Sequence, residues 1–173
     1  MAQERVDIVT VGGNPVTLLG PEIQVGDKAP GFEVVDQDKN TVSSDEAKGK
    51  VRIYSVVHSL DTGICDQQTR RFNEQAAALG DQVEIWTLSV DLPFALKRWC
   101  GAAGIDNIRV LSDHRELSFG MAYGLVIKEL RLLARAIFVV DDKDTVRYRE
   151  ILPEVGSHPD YDAALEAART LTD

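Results

Sequence analysis

VRIYSVVHSLDTGICDQQTRRFNEQAAAL, residues 51–79, is the stretch on which the fold turns. VRIYSVV (51–57) is apolar and β-branched enough for a central strand. SLDTGIC (59–65) carries the Asp, Thr and Gly of a loop, and a helical period then begins. Cys65, Thr69, Phe72, Ala76 and Leu79 recur at spacings of 4, 3, 4 and 3, one stripe of an amphipathic helix. Arg70, Arg71, Asn73 and Glu74 are expected on its remaining surface.

Downstream the same alternation continues. VEIWTLSV (83–90) reads as a second strand, and Asp91 with Pro93 signals a helix over 93–103 that ends at glycines. Residues 108–112 and 132–140 read as further strands around a short helix near 116–123. DDKDT (141–145) turns the chain into VRYREIL (146–152), and a helix opening at Asp160 closes the sequence over 160–171. Upstream, Val6, Ile8 and Thr10 alternate, and GGNP followed by VTLLG predicts an N-terminal β-hairpin. VGDKAPGF (25–32) is a punctuated loop before a short strand near Phe32–Val35, and DQDKN (36–40) turns the chain back. Helical crossovers demand partly parallel strands, and the late hairpin adds antiparallel ones. The expected fold class is α/β, one domain over residues 1–173, with a mixed central sheet and helices on both faces.

Composition narrows the function. At 173 residues the chain buries enough surface to fold without metal or disulfide. Lys plus Arg is 19 against 28 Asp plus Glu, a net charge of -9, which argues against nucleic acid or an anionic membrane as main partner. The opening MAQERVDIVTV has neither a basic nor an apolar signal region, and runs such as AIFVV (136–140) are too short to span a bilayer. A soluble, cytoplasmic domain is expected.

Cys65 and Cys100 are 35 positions apart, so they form neither a CxxC motif nor a zinc repeat. Cys65 falls in the first turn of its helix, where free N–H groups and the helix dipole favour an anion and thiols ionise more readily. Thr62, three residues earlier, is placed to cap the helix or to donate to the sulfur or a ligand. A buried seam cysteine accounts for the position equally well. Arg135 tips the balance, because it interrupts the apolar run LLARAIFVV. Such a cation must either snorkel out or be held by a buried anion, and a thiolate is one. Cys100 is a candidate partner thiol, although spacing does not place it near Cys65. His58, His114 and His158 are too scattered for a metal signature. A cysteine hydrolase using His58 or His114 as base has no orienting group that can be aligned with it. GGN (12–14) is turn chemistry and not a phosphate loop.

NPVT (14–17), SLDTGIC (59–65), TRRFN (69–73), DLPFA (91–95), KRWCGA (97–102), LARA (133–136) and PDYDAAL (159–165) together resemble the bacterial thiol peroxidases, a branch of the atypical two-cysteine peroxiredoxins. The resemblance runs in family order from near residue 8 to the C-terminus, and the blocks SxDTGxC and RxCGA are specific to this branch. It implies a three-layer thioredoxin-like fold with the added hairpin, a homodimer, no cofactor and no metal. It also implies a peroxidase for hydrogen peroxide and organic hydroperoxides. Cys65 takes the place of the peroxidatic cysteine, Cys100 of the resolving cysteine on the same chain, and Thr62 and Arg135 of the active-site threonine and arginine. The two cysteines would then form a disulfide that thioredoxin reduces. A general disulfide oxidoreductase and a non-enzymatic redox sensor are the competing classes. The family's loop has proline four residues before the threonine, and this chain has His58. Histidine there is expected to leave the loop freer and peroxide attack slower.

Overall fold

The computed structural model describes residues 2–173. In chain order it contains β1 (Glu4–Val11), β2 (Asn14–Leu19), β3 (Glu33–Val35), β4 (Thr41–Ser43), β5 (Val51–Val56), α1 (Gly63–Leu79), β6 (Val83–Ser89), α2 (Pro93–Ala103), β7 (Arg109–Ser112), α3 (Ser118–Ala122), β8 (Val126–Ile127), β9 (Leu132–Leu133), β10 (Ala136–Val140), β11 (Val146–Ile151) and α4 (Tyr161–Thr170). Seven strands form one mixed sheet in the order β11-β10-β5-β6-β7-β3-β4, in which β5, β6 and β7 are parallel. Both parallel connections cross over through helices, as the strand–helix alternation requires.

The period of two along β5 divides the core. Val51 and Ile53 face α1 and α4, together with Phe72, Leu79, Ala164 and Leu165. Tyr54 and Val56 face the opposite side, where Phe32, Trp86, Phe119, Tyr123 and Phe138 pack around α3. Most of these aromatic contacts are edge-to-face, with Phe32 and Phe119 centroids 4.9 Å apart. The α/β class, the mixed sheet and its helix-covered faces are as expected from the sequence.

Three local readings change. The stretch 132–140 is not one strand: β9 joins a second, antiparallel sheet in the order β1-β2-β8-β9, and β10 joins the large one. Ala134 and Arg135 make the step between them. The predicted N-terminal hairpin forms around Gly12 and Gly13, both at positive φ (58° and 81°), as a tight turn matched to strand twist requires. The buried positions of β1 are Arg5 and Val9, while Val6 is exposed, and a bulge around Asp7, itself at φ 61°, shifts the pairing with β2 between them. On α1, Asn73 is buried and not on the solvent face. Its Oδ1 accepts from the backbone N–H groups of Asp106 (3.3 Å) and Asn107 (2.9 Å), holding the loop after α2. Among the described residues, no helix is long and apolar enough to cross a membrane.

Candidate active site

The loop after β5 leads into α1 through Thr62, the helix N-cap, whose backbone is extended (φ -106°, ψ 148°). Its hydroxyl does not cap the helix. It donates instead to the Ser59 carbonyl at 2.7 Å, which leaves only its lone pairs for a ligand. Among the described residues, no protein group accepts from the N–H groups of Gly63, Ile64 or Cys65. Free N–H groups and the positive end of the helix dipole favour negative charge at this position. Cys65 stands third in the helix and is fully buried.

Asp91, just past β6, pins this loop. Its carboxylate accepts from the Ser59 hydroxyl (2.7 Å), the Leu60 N–H (2.9 Å) and the Ser89 hydroxyl (2.9 Å). In the sequence Asp91 signals only a helix start, because its partners lie up to 32 positions away. Asp91→Ala leaves three donors without their acceptor, so it is expected to cost about 1–3 kcal/mol of stability in a denaturant titration. It should also slow the reaction of Cys65, while Asp91→Asn keeps part of both.

Arg135 is only 2% exposed, although it carries a full charge. Alternation along the chain puts it on the same side as Ile137, toward α1. Its Nε donates to the Val155 carbonyl at 2.7 Å and one Nη to Gln68 Oε1 at 2.9 Å. A guanidinium has five N–H donors, and no carboxylate lies within salt-bridge distance of this one among the described residues. The remaining donors face the same region as the start of α1. At this burial the side chain does not snorkel to solvent, and the guanidinium rests on two neutral acceptors.

Gln68 was not singled out from the sequence, although it stands three residues after Cys65 and four before Phe72, on the buried stripe. Its Nε2 donates to Ser55 Oγ at 2.8 Å, so the amide orientation is set and Oε1 is left for Arg135. Tyr161, at the start of α4, packs edge-on to Phe72 and lies under the Arg71 guanidinium, 4.5 Å from the ring centre. Burial pushes its phenol up from the ordinary range, against the pull of Arg135.

Thr62, Gly63, Ile64, His58 and Arg135 line one open pocket of about 310 Å³. The tip of the N-terminal hairpin (Val11 and Gly12) and the segment Glu154–Gly156 form the opposite wall. The Glu154 carboxylate accepts from the Gly13 N–H (2.8 Å), the Gly156 N–H (2.7 Å) and the Thr10 hydroxyl (2.9 Å). These bonds hold it down at about 2 and dock the hairpin beside the site. The hairpin is thus part of the pocket.

Cys100 lies on α2 and shares a buried apolar cluster with Cys65, Val57, Leu60, Leu96 and Val110. Both thiols are free. Burial pushes the Cys100 thiol up to about 11, so it is a protonated, unreactive group in this arrangement at neutral pH. The two cysteine helices are tied together by the Trp99 indole N–H, which donates to Asp66 Oδ1 at 2.8 Å, and the exposed Arg98–Asp61 ion pair at 3.5 Å links α2 to the loop before α1. The four residues picked from the sequence therefore divide in two. Thr62 and Arg135 meet at the pocket, and Cys65 and Cys100 meet in the cluster behind it.

The chain is similar to known proteins in sequence and in fold. The Redoxin family model matches residues 24–165. A thiol peroxidase of Halalkalibacterium halodurans is 60% identical over 161 residues, covering 93% of this chain and 96% of the relative. One from Bacillus subtilis is 55% identical over 163 residues, covering 94% and 97%. Among solved structures, a peroxiredoxin-like protein from Aquifex aeolicus superposes with a TM-score of 0.89 at 38% identity, covering 98% of both chains. The chain belongs to the redoxin family and, within it, to the thiol peroxidases.

Proposed function

We propose that Cys65 is the thiol that meets peroxide in this thiol-dependent peroxidase, and that Cys100 resolves the product. The observation that carries this reading is the buried Arg135, with no carboxylate partner among the described residues and its spare donors at the pocket in front of the Cys65 helix. Hydrogen peroxide or an organic hydroperoxide binds between those donors, the free N–H groups of α1 and the Thr62 lone pairs. The Cys65 thiolate attacks one peroxide oxygen, the O–O bond breaks, and Arg135 stabilises the charge that develops. Water or an alcohol leaves, and Cys65 becomes a sulfenic acid. Cys100 then condenses with it, forming the disulfide and releasing a second water. Opening that bond by exchange needs an external dithiol, for which thioredoxin is the proposed reductant. A cytoplasmic homodimer with no bound cofactor completes the reading.

Both cysteines are buried and free while the Trp99–Asp66 bond ties α1 to α2. Oxidation with one equivalent of peroxide is therefore expected to give an intramolecular Cys65–Cys100 disulfide and to break the Trp99–Asp66 bond. Trp99 fluorescence should change, and hydrogen exchange should rise over residues 62–70 and 93–103. Non-reducing peptide mapping checks the bond. A disulfide found only between chains would overturn the assignment of Cys100.

A further inference from the structure

The proposed reaction leaves one titratable ring in the pocket without a task. His58 follows β5, is half-buried, and lines the pocket beside Thr62 and Arg135. Its Nδ1 lies 3.2 Å from the Leu133 carbonyl oxygen. A carbonyl only accepts, so Nδ1 carries a proton, and a neutral ring then keeps its lone pair on Nε2. The charges that face the ring are Arg135 ahead of β10, Asp91 beyond β6 and Glu154 across the pocket. Burial and Arg135 lower its pKa against the opposing pull of the Leu133 bond and Asp91. The neutral form therefore prevails at pH 7.

A hydroperoxide has two acceptor oxygens and one O–H donor. Arg135 and the first N–H groups of α1 are donors only. Thr62 has its hydroxyl proton on Ser59, so the side-chain acceptors lining the pocket are its lone pairs, His58 Nε2 and the Glu154 carboxylate, and that carboxylate already accepts from Thr10, Gly13 and Gly156. We propose that His58 is a catalytic residue whose Nε2 accepts the peroxide O–H and passes that proton to the departing oxygen. This deepens the thiol-peroxidase reading and rests on it. In the step, an S–O bond forms between Cys65 and the hydroxyl oxygen, and the O–O bond breaks with its electron pair leaving on the alkoxide. The proton of the attacked oxygen moves through Nε2 to that alkoxide, which leaves as the alcohol. Sulfur is oxidised by two electrons and the peroxide is reduced by two. The resulting sulfenate takes a proton from solvent.

The test is single-turnover oxidation of the reduced full chain by tert-butyl hydroperoxide, followed by stopped flow across pH 5–8. His58→Phe is expected to lower the second-order rate constant on the order of a hundred-fold at pH 7. His58→Gln, which offers an amide oxygen, should recover part of that loss. The wild-type rate should also fall on acidification as Nε2 protonates, and His58→Phe should lack that limb. Equal rates and equal pH profiles for wild type and His58→Phe would overturn the proposal alone. Wild type inert toward peroxide would overturn the thiol-peroxidase reading and this step with it. Should His58→Phe fail to fold, nitrogen NMR of the wild type decides. A ring protonated on Nδ1 alone at pH 7 is expected, and an Nε2-protonated or cationic ring refutes the assignment.

Discussion

Cys65→Ser is expected to consume no peroxide above the uncatalysed rate, whereas Cys100→Ser should consume about one equivalent and stop. The asymmetry follows from the two environments. Cys65 stands in the first turn of α1, among backbone N–H groups without protein acceptors and next to the residues that line the pocket. Cys100 is buried in an apolar cluster that keeps it protonated up to about 11. Without Cys100 the sulfenic acid on Cys65 has no partner, so it should be trappable by a dimedone-type probe and visible by mass spectrometry. In steady state with a thioredoxin system, both variants should lose nearly all turnover, and single turnover separates them. A sulfenic acid trapped on Cys100 of the wild type would reverse the assignment. Wild type that forms the disulfide yet turns over little peroxide would instead favour a redox sensor.

Arg135→Met should slow peroxide attack on the order of a hundred-fold, the scale at which one preorganised donor to a developing charge acts. The substitution removes the buried cation and also strands two acceptors, the Val155 carbonyl and Gln68 Oε1. A stability loss of about 1–3 kcal/mol is therefore expected alongside the rate loss. The two effects are separable. Gln68→Glu supplies a carboxylate to Arg135 and leaves the fork in place, so it should preserve folding while drawing the guanidinium's charge away from the pocket. Its rate should fall between wild type and Arg135→Met. Arg135→Lys keeps the charge but cannot serve Val155, Gln68 and a peroxide together, and it should recover only a fraction of the rate. A peroxide rate unchanged in Arg135→Met, measured by stopped flow on folded protein, would remove Arg135 from the mechanism.

Much of this protein is legible in local sequence. The 4-3-4-3 recurrence from Cys65 to Leu79 defines α1, and a short loop before it places the cysteine in the first turn. Pro93 opens α2, Gly104 closes it at φ 68°, and the Asp160 side chain caps α4 through the Ala163 N–H. These signals act within one turn of helix or one hairpin, so neighbouring residues suffice to read them. What decides the site acts at long range. Arg135 reaches Gln68 across 67 positions, and Glu154 reaches Thr10 across 144. A buried charge states that it needs partners but not where in the chain they lie, and the sheet order alone brings them together. The break between β9 and β10 belongs to the same class, because the apolar run is continuous while its two halves pair with strands of different sheets. Periodicity reports which face of an element is buried, and tertiary pairing decides against what.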